Sequence, residues 1–422
     1  QDERPAGKGD EFGFHAGPVL SGQRLVDYRE WWEIASLGAA NHLGLQGRKT
    51  AESGAGQGTA RCPIAVSDGG AGSRRRRGER IMRDTVAGLR TPLCDLLGCE
   101  VPVLLAGMGG VARWELAAAV ARAGGYAMLG MVRESPDLIA AEIAAYRAAT
   151  DRPFAVNVIP SATEPGLLDR QLARCLDLDV RAFTFFWDVM PEVVDRMKRT
   201  GALVLHQVGT VEAARQAEAA GADVIITQGI EAGGHVHGRI GAFALAEAVL
   251  ETAKVPVVVS GGIGSGRGLA AALALGAQGV QCGTAFLATE EAWAHDYHKR
   301  RVVEAEGGDT VLTDVFVLNW PKGAAVRVIG NSVTGALGDN LMGHDPATLP
   351  REAIAEDSGQ PLLRYSTDSP MRHTTGSLEE MALYAGQGVG LVHDVVPAAE
   401  RLRRMVEEAA ACLAALPGRE AR

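Results

Sequence analysis

Aromatic residues are scarce in this chain: Phe, Trp and Tyr together make up 5% of its 422 residues. Glycine is abundant instead, with 53 residues, and apolar residues as a whole reach 47%. A chain of this length and apolar content can bury a large core. Small side chains pack closely between helices and sheets, so the composition favours an α/β fold over a β-sandwich.

Cysteine is also rare, and its spacing carries neither a metal nor a disulfide signature. No Cys-x-x-Cys pair occurs among the six cysteines, which are Cys62, Cys94, Cys99, Cys175, Cys282 and Cys412. This pattern disfavours a disulfide framework and a zinc site, and we therefore predict no metal. Reduced thiols are typical of the cytosol, which predicts a cytoplasmic protein.

An excess of basic residues and an unbroken apolar span are absent as well. The net charge of −9 argues against nucleic acid as the main partner. The longest uncharged run, 268–289, is long enough to cross a bilayer, but Gly276, Gly279 and Gly283 interrupt it. We interpret this run as helix, turn, strand and loop, and we predict no membrane association.

Residues 1–81 differ from the rest of the sequence. They show no sustained helical or alternating pattern, and they contain four consecutive arginines at 74–77. Such a segment cannot bury enough apolar surface to fold, so we predict a disordered leader or upstream extension. A basic tail for nucleic acid or a membrane is the less favoured alternative. We expect the working protein to start near Met82 and the leader to be dispensable.

An alternation of strands and helices begins at Val101 and repeats about every 25 residues. Each strand candidate is apolar on both faces, as in a parallel sheet. The eight candidates are 101–105, 126–131, 154–158, 182–186, 203–206, 224–227, 257–260 and 279–282. Eight such strands predict an α/β protein with a closed (β/α)8 TIM barrel over 82–311, and a doubly wound open sheet is the alternative. Residues 312–422 show no clear ninth strand and predict a helical or irregular extension that packs on the barrel or caps its mouth.

In such a barrel the active site lies at the carboxyl ends of the strands. The sixth strand candidate ends at Gln228 and leads through Glu231 and a glycine pair to His235 on a glycine-rich loop. Glycine lets the backbone approach a ligand closely, and histidine can transfer a proton near neutral pH. We therefore predict that His235 is a catalytic base. A histidine with local hydrogen bonds alone is the simpler alternative, and a metal site of His235, His237 and Glu231 is disfavoured.

Glycine-rich turns also follow the seventh and eighth strand candidates. Free backbone N–H groups at Gly261–Gly262 and Gly283–Thr284 can bind a phosphate, as loops at these positions do in many barrels. The sequence after the first of these turns lacks the Lys-Ser/Thr of a P-loop, and it also lacks the acidic ribose ligand of a dinucleotide site. Tight turns without a ligand are the alternative. His206 suits a site and the core equally well, and Cys282 is expected to serve in packing.

These segments resemble the nitronate monooxygenase family, once called 2-nitropropane dioxygenases, whose members are FMN-dependent TIM-barrel enzymes. The resemblance covers roughly residues 91–391 and is most specific in 228–235, 261–277 and 281–289. The sequence Tyr-Ala-Gly-Gln at 384–387 resembles a further family element. The family reaction oxidises an alkyl nitronate with O2 to a carbonyl compound and nitrite.

The resemblance implies roles for individual residues. His235 matches the family's catalytic histidine, which can act as base on the α-carbon of a neutral nitroalkane. Together with the glycine turns, the resemblance predicts these FMN-binding residues: Gly107, Met108, Asn157, Gln228, Gly233, Gly261, Gly262, Gln281, Cys282, Gly283 and Thr284. The loop after His235 is one residue longer than the common family pattern, and Ala285 replaces a frequent arginine. His237 therefore stays open as the imidazole that faces the substrate.

The same fold and similar motifs also serve reductases that take hydride from NAD(P)H. Enoyl-ACP reductase II and NADH:quinone reductases are the examples, so a reductase is the alternative function. A barrel that binds flavin or phosphate without catalysis is a third and less favoured class. The expected partners are a small-molecule substrate and O2, and homo-oligomerisation stays open.

Overall fold

The computed structural model describes residues 88–416 of the chain. The predicted leader, Met82 and Cys62 lie outside these residues. Within the described range, no helix is both long enough and apolar enough to cross a membrane.

Eight parallel strands form a barrel at the centre of the described region, which confirms the predicted (β/α)8 fold. These strands are β1 (Val103–Leu105), β2 (Ala127–Gly130), β3 (Phe154–Val158), β4 (Ala182–Phe185), β5 (Leu203–Val208), β6 (Val224–Gln228), β8 (Val257–Ser260) and β9 (Gly279–Cys282), while β7 (Gly234–His235) lies outside the barrel. Neighbours pair in the order β1-β9-β8-β6-β5-β4-β3-β2. A parallel bridge between Leu104 and Tyr126 closes the ring between β1 and β2.

A helix connects each barrel strand to the next, as the alternation predicts. The first eight helices are α1 (Pro92–Leu97), α2 (Trp114–Arg122), α3 (Pro136–Ala149), α4 (Pro165–Asp177), α5 (Pro191–Arg199), α6 (Val211–Ala219), α7 (Ala242–Leu250) and α8 (Gly266–Leu275). Ser135 and Thr210 cap α3 and α6, because their hydroxyls accept N–H groups of the first turn. Gly276 ends α8 with a φ of 105°, a conformation that glycine adopts without steric cost.

Strand residues alternate between the inside of the barrel and the surrounding helical layer. The inner cluster comprises, from the strands, Leu104, Tyr126, Met128, Ala155, Ala182, Leu205, Val224, Ile226 and Val258. Leu93, Cys94 and Leu97 of α1 belong to the same cluster. Apolar side chains thus fill the lower part of the barrel, which leaves its carboxyl-terminal mouth for a ligand.

The chain after the barrel contains strands that the sequence pattern does not reveal. It comprises α9 (Thr284–Leu287), α10 (Asp296–Glu304), β10 (Thr310–Thr313), β11 (Val326–Ile329), α11 (Ser332–Gly335), β12 (Ala353–Asp357), β13 (Gln360–Leu363), β14 (Thr375–Gly376) and α12 (Ala398–Ala414). The expectation of a helical or irregular extension without a clear ninth strand therefore misses these short strands. Each of these strands has at most five residues, which is too short for an alternating pattern to stand out.

Two parts of this extension contact the loops at the barrel mouth. β10, β11 and β7 form an antiparallel sheet in which Val326 pairs with His235. Further along, the Gln387 N–H donates a hydrogen bond to the carbonyl of Glu231 at 2.8 Å. The extension therefore helps to fix the loop between β6 and α7, where the predicted base lies.

Candidate functional site

Polar side chains line the inside of the barrel at the carboxyl ends of its strands. They are all buried, and they are Asn157, Gln207, Gln228, Ser260 and Gln281. The amide of Gln281 donates hydrogen bonds to Gln207 Oε1 and, at 3.3 Å, to Ser260 Oγ. Gln281 Oε1 is buried without a hydrogen-bond partner. The predicted residues Asn157, Gln228 and Gln281 therefore belong to one polar ring, to which Gln207 and Ser260 also contribute.

The loop after β1 lies against this ring. A Cβ added to Gly107 would come within 2.3 Å of the Asn157 side chain, so a larger residue does not fit there. A Cβ on Gly130 would come within 2.1 Å of the Met108 carbonyl oxygen. Met108 Sδ lies 3.6 Å from the position of a Cβ on Gly283. The structure thus brings the predicted Gly107, Met108, Asn157 and Gly283 together at the mouth.

The predicted phosphate turns have a backbone that suits an anion. Gly261 and Gly262 have φ values of 105° and 72°, in a region that other residues rarely adopt. Turns of this kind can point successive N–H groups toward one anion. The hydroxyl of Thr284 accepts a hydrogen bond from the Gly386 N–H at 3.0 Å, which ties the second turn to the extension.

A cavity of about 450 Å³ opens beside Gly261 and Gly262. Glu231 and Glu306 also line it. Their carboxylates repel an anion in this cavity, since like charges at short range disfavour each other. A phosphate held by the turn is therefore expected at the barrel mouth and not in this cavity.

His235 occupies the short strand β7, whereas the sequence predicts a loop. The Gln228 amide donates to the His235 carbonyl at 2.8 Å, and Gln228 Oε1 accepts from the His237 N–H at 3.3 Å. A Cβ on Gly233 would come within 2.4 Å of the Gly386 nitrogen. The barrel, through Gln228, and the extension therefore both position the backbone of His235.

The imidazole of His235 lies between two tryptophans. It stacks on Trp320 with 3.8 Å between ring centroids and meets Trp187 edge-on at 5.9 Å. His235 Nε2 and Trp320 Nε1 are both buried without a hydrogen-bond partner. Burial, together with the positive charge of Arg133, lowers the pKa of His235 to about 3. His235 is therefore neutral near pH 7, and Nε2 can accept a proton in the tautomer that carries hydrogen on Nδ1.

His237 has a different environment two residues further on. Its Nε2 lies 3.3 Å from Asp188 Oδ1, and its ring lies 4.7 Å from that of Trp187. Glu231, the third member of the disfavoured metal site, accepts the Ala242 N–H at the start of α7. Among residues 88–416, no group of three or more His, Cys, Asp or Glu side chains is placed to hold a metal ion.

His206 and Cys282 face the helical layer and not the inside of the barrel. His206 lies beside Phe185 of the outer cluster, and its Nδ1 lies 3.2 Å from the Gln207 carbonyl oxygen. Cys282 belongs to the same outer cluster, and its carbonyl accepts the Ala106 N–H at 2.9 Å. The Cys282 side chain thus packs in the outer layer, and its predicted contact with FMN stays a prediction.

Three further residues of this site belong to none of the sequence motifs: Arg133, Trp187 and Trp320. Arg133 and Trp187 follow the second and fourth barrel strands, and both have a positive φ, of 59° and 77°. The rule that strand ends carry function could have identified these two. Trp320 lies in the extension, where no motif in the sequence singles it out.

Most of the described region matches one protein family. Residues 90–170 and 161–408 match the model of the nitronate monooxygenase family. The chain belongs to this family. Nitronate monooxygenases are flavin-dependent, and the site fits such a group. The buried ring of amides offers donors and acceptors, with Gln281 Oε1 still unpartnered, and the glycine turns offer N–H groups.

Individual relatives agree with the family assignment. A nitronate monooxygenase from Paraburkholderia phytofirmans is 32% identical over 75% of this chain and 94% of its own length. The (3aS,4S,5R,7aS)-5-hydroxy-7a-methyl-1-oxo-octahydro-1H-indene-4-carboxyl-CoA dehydrogenase of Mycobacterium tuberculosis is 40% identical over 53% of this chain, and the match spans 63% of that protein.

Solved structures give the same architecture. FabK from Thermotoga maritima has a TM-score of 0.65 at 31% identity and covers 76% of this chain and 96% of its own. A nitroalkane oxidase from Streptomyces ansochromogenes has a TM-score of 0.62 at 32% identity, with 76% and 99% coverage. Each of these two matches covers about three quarters of this chain.

Proposed function

We propose that this nitronate monooxygenase family member oxidises alkyl nitronates with O2 to carbonyl compounds and nitrite, with FMN as its flavin. The observation that carries the proposal is the neutral, unpartnered His235 Nε2 at the barrel mouth, in a chain with this family's fold. A neutral imidazole with a free ring nitrogen can take the acidic α-proton of a nitroalkane. The proposal includes a cytoplasmic location, in line with the unpaired cysteines of the described region.

The residues of the mouth have distinct roles in this proposal. Asn157, Gln228 and Gln281 hold the edge of the flavin ring, and Gly107 and Met108 lie against it. When bound there, FMN would supply the redox chemistry between the nitronate and O2. The backbone N–H groups of the two glycine turns hold the phosphate, at Gly261, Gly262, Gly283 and Thr284. Gly233 contacts the flavin in this proposal, and its lack of a Cβ also lets Gly386 of the extension approach closely.

A second candidate function rests on the 40% identical relative. That protein is named as a dehydrogenase of a carboxyl-CoA compound. Removal of hydrogen from carbon in such a substrate also requires a base, and His235 would have the same role there.

The family match favours nitronate oxidation over the NAD(P)H-using reductase.

The identity of the flavin has a direct test. Heat denaturation of purified protein should release one FMN per chain, which chromatography separates from FAD. Two glycine turns beside one polar ring suit a single phosphate and lack the acidic ribose ligand of a dinucleotide site. Release of FAD, or of no flavin, would contradict this part of the proposal.

Anaerobic flavin reduction distinguishes the candidate reactions. Propyl-2-nitronate, NADH and a carboxyl-CoA ester are each mixed with the holoenzyme, and bleaching of the flavin absorbance is followed. We expect bleaching by the nitronate, and nitrite release once O2 is admitted. Bleaching by NADH alone would establish a reductase, and bleaching by the CoA ester alone would establish the second candidate.

A further inference from the structure

Arg133 is a cation at the barrel mouth that forms no ion pair with another described residue. It follows β2, and its backbone φ of 59° lies in the left-handed region, which is unfavourable for arginine. Among residues 88–416, no carboxylate oxygen lies within 4.0 Å of the guanidinium nitrogens of Arg133, which is the distance of an ion pair. The nearby Arg113, by contrast, is 3.2 Å from Glu134 and 3.6 Å from Glu142.

The guanidinium of Arg133 also has more donors than acceptors. Its Nη1 donates to the carbonyl of Asn319, which is its one hydrogen bond within the described residues. A guanidinium carries five N–H donors, so most of them are left for a ligand. Asp368 and Glu134 attract this charge from a greater distance. The Asp368 carboxylate accepts the Asn319 amide at 3.2 Å, and Glu134 pairs with Arg113.

Arg133 and the predicted base contact the same tryptophan ring. Its guanidinium carbon lies 4.8 Å from the centroid of the Trp320 ring, on which His235 also stacks. Trp320 Nε1 can only donate, and it is buried without an acceptor. A cation and an unpaired N–H donor next to a proton acceptor form a set that suits an oxyanion.

We propose that Arg133 binds the negatively charged group of the substrate beside Trp320, so that the substrate is an organic oxyanion. This inference rests on the proposed function, in which the alkyl nitronate carries its charge on two coplanar oxygens. The planar fork of a guanidinium matches two such oxygens better than an ammonium does. Arg133 is then a substrate-binding residue that the family motifs in the sequence do not include.

The same contact assists the reaction of a neutral nitroalkane. When the carbon–hydrogen bond breaks, the proton moves to His235 Nε2 and the electron pair moves onto the nitro oxygens. Arg133 compensates the charge that develops there. Loss of Arg133 should therefore raise KM for a preformed nitronate, but lower kcat for the neutral nitroalkane.

The test uses holoenzyme variants and nitrate, an unreactive planar oxyanion, as a probe. Arg133→Met removes the charge, Arg133→Gln removes it but keeps a donor for Asn319, and Arg122→Met removes an exposed charge of α2 as the control. Nitrate binding is followed by tryptophan fluorescence. Hydrogen bonds to charged groups are worth about 1.5–3 kcal/mol, so nitrate affinity should fall roughly 10- to 100-fold in both Arg133 variants. Arg122→Met should bind nitrate as the wild type does.

Kinetics separate this inference from the proposed function. In the Arg133 variants, KM for propyl-2-nitronate should rise about as much as the nitrate dissociation constant, while KM for neutral 2-nitropropane should change less than about threefold. Unchanged nitrate affinity and unchanged nitronate KM would overturn the inference and leave the proposed function intact. If nitrate binding is weakened in the Arg133 variants but the wild type itself does not turn over the nitronate, the anion site is supported and the proposed function is refuted. Should Arg133→Met fail to fold, Arg133→Gln provides the same comparison.

Discussion

At the residue scale, His235 Nε2 is buried without a hydrogen-bond partner in the described region, and the ring stacks on Trp320. We predict that His235→Asn keeps its flavin but turns over neutral nitroalkanes about 10²- to 10⁴-fold more slowly, the usual contribution of a general base. A preformed nitronate has already lost its proton, so its turnover should fall much less. Steady-state kinetics with 2-nitropropane and propyl-2-nitronate measure the two effects.

The matched control is His237→Asn, because His237 lies two residues away and contacts Asp188 at 3.3 Å. We expect the milder loss from this variant. A damaging His237→Asn with a nearly neutral His235→Asn would exchange the two assignments.

The pKa of about 3 also means that His235 stays neutral above about pH 4. An acidic limb near pH 6.5 that disappears in His235→Asn would contradict this burial.

How far the sequence predicts single residues depends on whether a motif contains them. His235 follows a barrel strand within a glycine motif, and the structure places it at the mouth. Arg133 and Trp320 become part of the site because the loop after β2 meets the extension, with 4.8 Å between the guanidinium carbon and the ring centroid. No local pattern encodes a pair separated by nearly 190 residues, so a single sequence does not reveal it.

At the element scale, the base is held by a sheet outside the barrel. β7 pairs with β11, and the backbone of Gly233 lies against Gly386 of the extension. A Cβ at Gly233 would meet the Gly386 nitrogen at 2.4 Å, which forces the two segments apart. We predict that Gly233→Ala destabilises the protein by about 1–3 kcal/mol and weakens flavin retention, since overpacking costs this much in close-packed regions.

Gly308→Ala is the control for this variant, because an added Cβ there meets no atom within 4 Å. Its φ also lies outside the left-handed region. Chemical denaturation and the flavin content after gel filtration should therefore match the wild type in Gly308→Ala. Equal losses in the two variants would show that the approach of Gly233 to the extension is not what matters.

The predictability of the elements follows from their length and pairing. Barrel strands such as Phe154–Val158 are buried on both faces and bounded by helices, so their apolar runs identify them. β7 has two residues and β14 has two, and neither carries a pattern of its own. These strands exist because distant partners, such as Val326 for His235, supply their hydrogen bonds. Tertiary pairing, and not local propensity, decides them.

At the scale of the whole molecule, burial favours the neutral form of three histidines in the part of the chain that the structure describes. Burial lowers the pKa of His206 to about 4, of His298 to about 4 and of His235 to about 3. The unfolded chain protonates such groups near pH 6.5. Between the folded and unfolded pKa values, unfolding takes up protons, so acid destabilises the fold. Glu134 and Glu142, whose pKa values burial raises, act in the opposite direction.

His206→Leu isolates one of these contributions, because the His206 side chain faces the outer layer and not the polar ring. One proton changes the free energy of unfolding by about 1.4 kcal/mol per pH unit. We predict that the wild type loses stability from pH 6 to pH 4.5 more steeply than His206→Leu, by about this slope. Exposed His393→Asn serves as the control and should keep the wild-type slope. Denaturant titrations at several pH values measure it, and equal slopes for all three proteins would show that His206 is already protonated in the folded state.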